Sequence, residues 1–88
     1  MKIKPSYILK KVMGKYMIVS LEESASQTLN MQTINETGAF IWDLVANGAT
    51  EAEICEKMLA EYDISKEVAT EDIAAFLSAL EKAGILER

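Results

Sequence analysis

The period of the apolar residues changes within one short stretch, "TINETGAFIWDL" (Thr33 to Leu44), and no other feature restricts the fold as much. Just before it, in "TLNMQTI", Leu29 and Met31 alternate with Thr28, Asn30 and Gln32, the two-residue period of a half-buried strand. After it, Phe40, Ile41, Leu44 and Val45 recur at helical spacing. Asn35 stands between the two patterns and suits an N-cap, because its side-chain oxygen can accept from the exposed N–H groups of a first helical turn. Glu36 complements the positive end of the helix dipole there, and Asn47-Gly48 ends the helix. A strand must therefore hand over directly to a helix.

The remaining elements follow from the same signals. "YILKKVMGKYMIVSL" (Tyr7 to Leu21) reads as a hairpin of strands over about 7–13 and 16–21, with Gly14-Lys15 as a two-residue type II′ turn. That register pairs Val12 with Met17, Lys10 with Val19 and Ile8 with Leu21 on a mostly apolar face, leaving Lys11, Ser20 and Glu22 on the wetter one. "EESASQ" (Glu22 to Gln27) reads as a loop, and the third strand covers about 28–34. Helices are expected over about 36–46, 51–62 and 66–83. Thr50 with Glu53 forms a capping box, and Asp63 and Ser65 supply a break and the next cap. The second helix places Ile54, Met58, Leu59 and Tyr62 on one side. Along the third, Ala69, Ile73, Phe76, Leu77, Leu80 and Ala83 make an apolar stripe, closed by Gly84 with Ile85 and Leu86 tucked back as a tail.

Three strands followed by three helices make an α+β fold in one domain, residues 1–88, with the helices covering one face of a small antiparallel sheet. A chain of 88 residues buries roughly 60–68% of its unfolded surface, enough for one modest core and no separate catalytic domain. The N-terminus lacks a secretory signal and no apolar run reaches the ~20 residues of a membrane span, so the expectation is a cytoplasmic protein with no membrane partner. With no histidine and Cys55 as the sole cysteine, the usual general base and an ordinary zinc site are both missing. The expectation is no enzyme, no metal and no cofactor. Cys55 reads as a structural thiol on an amphipathic helix, and the acids at Glu51, Glu53, Glu71 and Asp72 read as helix-start and surface charges. Met13, Met17, Met31 and Met58 read mainly as core filling, with Met31 left open to a binding role on the third strand.

The third strand raises a separate question. At a sheet edge its unpaired backbone groups need cover, yet Thr28 to Ile34 carries no charge, proline or bulge signal to protect it. Cover by the C-terminal tail, by Met1 to Ser6 or by a second copy in a homodimer is one explanation; capture of an extended peptide is the other.

The region "INETGAFIWDLVANGATEAEICEKMLAEYDISKEVATEDIAAFLSALEKAGILE" resembles the coenzyme PQQ synthesis protein D-like (PqqD-like) family. The similarity rests on Ile34-Asn35, Glu36-Thr37-Gly38, Ile41-Trp42-Asp43, Gly48, Thr50, Tyr62-Asp63, Asp72-Ile73, Phe76-Leu77, Leu80 and Gly84-Ile85-Leu86, with Gly38 standing where alanine is common. The resemblance implies a winged-helix-like fold and a recognition element for ribosomally made, modified peptides. Such an element binds the leader segment of a precursor peptide as an added strand between the third strand and the third helix. It then presents that peptide to a modifying enzyme, often a radical S-adenosylmethionine protein. Thr28, Leu29, Asn30, Met31, Gln32 and Thr33 would then supply backbone groups, and Asp72, Phe76, Ala79 and Ala83 the cleft wall. Thr70, Ala74 and Glu81 form the alternative flank. Against a helix-turn-helix nucleic-acid role stand Glu67, Glu71, Asp72 and Glu81 on the would-be recognition helix. Trp42 reads as a packing residue, and Gly38 as space where the first helical turn meets the sheet.

Overall fold

The computed structural model describes residues 1–21 and 32–87. Lys2–Ile3 (β1) leads into a hairpin of Tyr7–Val12 (β2) and Lys15–Ser20 (β3), and Gln32–Ile34 (β4) pairs antiparallel with the other side of β3. Helices follow at Glu36–Ala46 (α1), Glu51–Glu61 (α2) and Lys66–Lys82 (α3). The chain closes with Leu86–Glu87 (β5), which pairs with β1 in a separate two-stranded sheet. The fold is α+β: a three-stranded antiparallel sheet in the order β2-β3-β4, backed by three helices. The expected loop Glu22 to Gln27 and the expected strand residues Thr28 to Met31 lie outside the described residues.

Each helix starts where a side chain satisfies its first turn. Asn35 Oδ1 accepts from the Gly38 N–H, Ser65 Oγ from the Val68 N–H, and Thr50 and Glu53 make the reciprocal bonds of a capping box. Hydrogen bonding to Thr50 holds the Glu53 carboxyl below the usual carboxylate range. At the far ends Asn47 caps α1 before Gly48 at φ +88°, Tyr62 caps α2, and Ala83 caps α3 before Gly84 at φ +78°. Such left-handed backbone costs glycine little.

The hairpin departs from the sequence reading in its turn. Its loop is Met13-Gly14, both at positive φ (51° and 80°), which is the type I′ rather than the II′ geometry. The register moves by two residues with it. Val12 now faces Lys15, Lys10 faces Met17 and Ile8 faces Val19. The buried face is also the opposite one: Ile18 is fully buried opposite Leu9, and Tyr7 and Leu9 pack on the core, whereas Ile8, Met17 and Val19 are half-buried on the outer face and Val12 is exposed. Apolar residues occupy both faces of this hairpin, so alternation alone did not choose between them. The helices chose, by presenting a surface that fits Ile18.

Ile18 meets Ile41, Ile54, Met58, Leu77 and Ile85 in the fully buried centre, with Trp42 also buried. An edge-to-face contact between Phe40 and Tyr62, centroids 5.4 Å apart, joins α1 to the end of α2. Leu59 and Ala83, expected to be apolar contacts, are exposed, and Met13 sits at the tip of the hairpin almost wholly in solvent. Ile85 and Leu86 are buried, and the Lys4 N–H donates to the Ile85 carbonyl at 2.9 Å. The tail and the N-terminal segment therefore cover each other, not the free side of β4. No helix among the described residues is long and apolar enough to cross a membrane.

Choice of sheet face makes a direct prediction. Ile18→Ala should cost about 2–5 kcal/mol, as truncation of a buried core side chain does. Val19→Ala, on the outer face, should cost less than about 1 kcal/mol. Urea denaturation midpoints of the two variants check this, and the reverse ranking would contradict the assignment.

Candidate functional site

Backbone alternation decides which groups of β4 are free. The Leu21 N–H donates to the Ser6 carbonyl at 2.6 Å, so the hydrogen-bonded pairs of the hairpin are those in phase with it, Ile8 with Val19 and Lys10 with Met17. Tyr16 and Ile18 then turn their backbone groups the other way, to Ile34 and Gln32 of β4. Thr33, opposite Met17, points its N–H and C=O away from the sheet. No strand pairs with that side of β4 among the described residues.

Immediately after β4 the chain reaches Asn35 and the first turn of α1, and beside them runs the middle of α3. A cavity of about 330 Å³ lies between them, lined by Asn35, Thr37, Gly38, Ile41, Asp72, Ala75 and Phe76. Gly38 is needed for this closeness: a Cβ placed there would stand 2.9 Å from Cε1 of Phe76. Its missing side chain thus makes room for the aromatic ring of α3, where the sequence suggested the sheet. Asn35 Oδ1 accepts from the Gly38 N–H at 2.7 Å, and the Thr37 side chain shares a hydrogen bond with the Tyr62 hydroxyl. Burial, with smaller contributions from Glu36 and Glu61, raises the Tyr62 hydroxyl above the usual phenol value. That tyrosine stays a neutral hydrogen-bonding group at physiological pH.

Of the anticipated site residues, Thr33 stands exposed at the free edge and Gln32 precedes it in β4. Thr28, Leu29, Asn30 and Met31 lie outside the described residues. Asp72 and Phe76 line the cavity, Phe76 half-buried and Asp72 exposed. Ala79 and Ala83 are exposed farther along α3 and do not line it; Ala75 does. Of the alternative flank, Thr70 and Ala74 face α2, where with Cys55 they border a groove of about 270 Å³, and Glu81 is exposed near the end of α3 outside that groove. Sequence reasoning missed Thr37, Gly38, Ile41 and Ala75 as cavity residues. The signal for Gly38 was present, since a glycine inside a helix usually marks a close approach.

Among the described residues no group of three or more His, Cys, Asp or Glu side chains is placed to hold a metal ion. What the geometry offers is an open sheet edge adjoining a partly apolar cleft, the arrangement that strand-addition binding uses. The chain belongs to the coenzyme PQQ synthesis protein D (PqqD) family, whose sequence profile matches residues 15–86. Two solved structures share its fold across 99% of its length. One is TbiB1 in complex with the TbiA(beta) leader peptide, 26% identical, TM-score 0.81, with 95% of that chain covered. The other is lasso peptide synthetase B1 complexed with the leader peptide, 18% identical, TM-score 0.81, with 96% of that chain covered; at this identity it speaks for the fold alone. No curated protein matches the chain significantly.

The Asn35 cap holds the junction on which both edge and cavity depend. Asn35→Ala should therefore lower stability by about 1 kcal/mol, the usual cost of losing such a cap. Thermal unfolding measures it, and an unchanged transition would mean that other contacts hold the first turn of α1.

Proposed function

We propose that this chain is a recognition element for the leader segment of a ribosomally synthesised precursor peptide. The leader joins the free side of β4 as a further strand and is thereby presented to a separate modifying enzyme. One observation carries the reading: Thr33 directs its backbone donor and acceptor out of the sheet, next to the cleft that α1 and α3 form around Phe76. Family membership and the leader-bound TbiB1 neighbour support the same assignment. Backbone bonds on the β4 side hold any extended sequence, and side chains of α3 choose among sequences. Asp72 and Phe76 are the contacts proposed from α3, with Ala79 and Ala83 along the continuation of the same helix toward its end.

The chain itself performs no chemistry in this account. Its lack of histidine agrees with a binding role, because the chemical step then rests with the partner enzyme. For that partner the family resemblance suggests a radical S-adenosylmethionine protein, and the setting is cytoplasmic. A role on nucleic acid is disfavoured by charge, since α3 exposes Glu67, Glu71 and Asp72 where a groove-reading helix would need cations.

The test is an NMR titration with the leader segment of a cognate precursor peptide. Backbone signals of Thr33 and of α3 around Asp72 to Ala79 should shift; saturating peptide without change there contradicts the proposal. Thr33→Pro removes the outward donor without touching the bonds to β3, and should weaken binding about 3- to 10-fold, the worth of one hydrogen bond. Calorimetry of the variant gives that ratio.

A further inference from the structure

We infer that the tip of the β2–β3 hairpin is the docking point for the modifying enzyme, and that the matching surface of that enzyme is an apolar pocket rimmed by carboxylates. The inference rests on the presentation reading above and adds the surface through which presentation takes place. It starts from Met13, the one non-glycine residue at positive φ (51°) among the described residues.

A two-residue I′ turn needs left-handed backbone at both central positions, and glycine or asparagine takes it most readily. A methionine at the first position strains the turn, because its Cβ crowds the following carbonyl oxygen. No contact within the chain offsets that strain: Met13 is 96% exposed and lies outside the core cluster. Beside it Val12, at the end of β2, is exposed as well. Strained backbone of this kind gathers at functional sites, and here it holds two apolar side chains out in water where only another molecule can cover them.

Charge defines the partner. Tyr7 to Leu21 carries Lys10, Lys11 and Lys15 and no acid, in a chain of net charge −5. All three lysines are exposed, and the Lys11 ammonium stands 5.3 Å from the centroid of the Tyr16 ring, which steadies it. Apolar side chains ringed by cations complement an apolar pocket ringed by carboxylates. An anionic bilayer or a nucleic acid fits less well, because it would repel the acidic remainder of the chain. A second copy bound tip to helix would make a heterologous contact, which builds rings or filaments rather than a closed pair. Position favours the enzyme as well. Lys15 precedes Tyr16, which pairs with Ile34, so the tip stands just beyond the end of β4 where the free edge meets α1. An enzyme seated there lies beside one end of a leader held on that edge.

The experiment measures binding of the purified enzyme that modifies the same precursor, by interferometry on the immobilised full chain, with leader affinity read separately by calorimetry. Met13→Asn separates docking from folding, because asparagine suits the turn better and should raise the thermal midpoint by about 2–5 °C. Its affinity for the enzyme should nevertheless fall about tenfold, as loss of an interface anchor does. Its affinity for the leader should stay within about twofold, since the tip and the free edge share no contact. Lys10→Glu, Lys11→Glu and Lys15→Glu together should lower enzyme affinity at least as far, and added salt should weaken the unmodified chain in the same direction. Met13→Asn and the lysine variant binding the enzyme as tightly as the unmodified chain would overturn the docking assignment while leaving strand capture standing. The assignment is equally overturned if the unmodified chain binds anionic phospholipid vesicles, or shows by light scattering a mass above that of one chain, and Met13→Asn abolishes that behaviour. An unmodified chain that binds no leader would overturn the presentation reading itself.

Discussion

One hydrogen bond, from the Gly38 N–H to Asn35 Oδ1, decides where the sheet stops and α1 begins. By holding Asn35 in extended conformation while its side chain closes the first turn, it ends β4 at Ile34 and turns the chain across α3. The two halves of the proposed site follow from that turn. Thr33 is left at the free edge with its backbone groups outward, and Gly38 is brought onto Phe76, so that edge and cleft share one junction only a few residues long. Packing then fixes the rest: Ile41 and Trp42, in the same helix, lock α1 to the core around Ile18 and Leu77.

Local signals in the sequence told most about the helices. Asn35, Thr50 with Glu53, Ser65 and Gly84 act through neighbours a few residues away, and each stands where its cap was expected. The hairpin was harder, because Ile8, Met17 and Val19 on one face balance Tyr7, Leu9 and Ile18 on the other. Which face becomes the core is decided by helices distant in sequence. Turn chemistry was equally ambiguous around a single glycine: Gly14 serves as the second central residue of a I′ turn as readily as the first of a II′ turn, and the strand register follows the turn chosen.

The candidate site was legible to the same degree. A helical wheel put Asp72 and Phe76 on one flank of α3, and that flank does face the β4–α1 junction. How far along α3 the cavity extends depends on where α1 crosses it, which no wheel contains. Hence Ala75 belongs to the cavity and Ala79 and Ala83 lie beyond it, while Thr37 and Ile41 enter from a helix that was read only as packing. The free edge was suspected from its lack of protective residues, but its covering was not predictable. The tail and the N-terminal strand, both candidates for covering it, pair with each other.

The central claim is that a leader peptide completes the backbone bonding of β4, and amide hydrogen exchange tests it at single residues. Thr33 and its two strand neighbours differ in direction, so they should differ in response. In the free protein the amides of Gln32 and Ile34 should be the protected ones and that of Thr33 should exchange fast. With saturating leader peptide the account predicts that Thr33 becomes strongly protected while its neighbours change little. A Thr33 amide that exchanges as fast in the complex as in the free protein would contradict it.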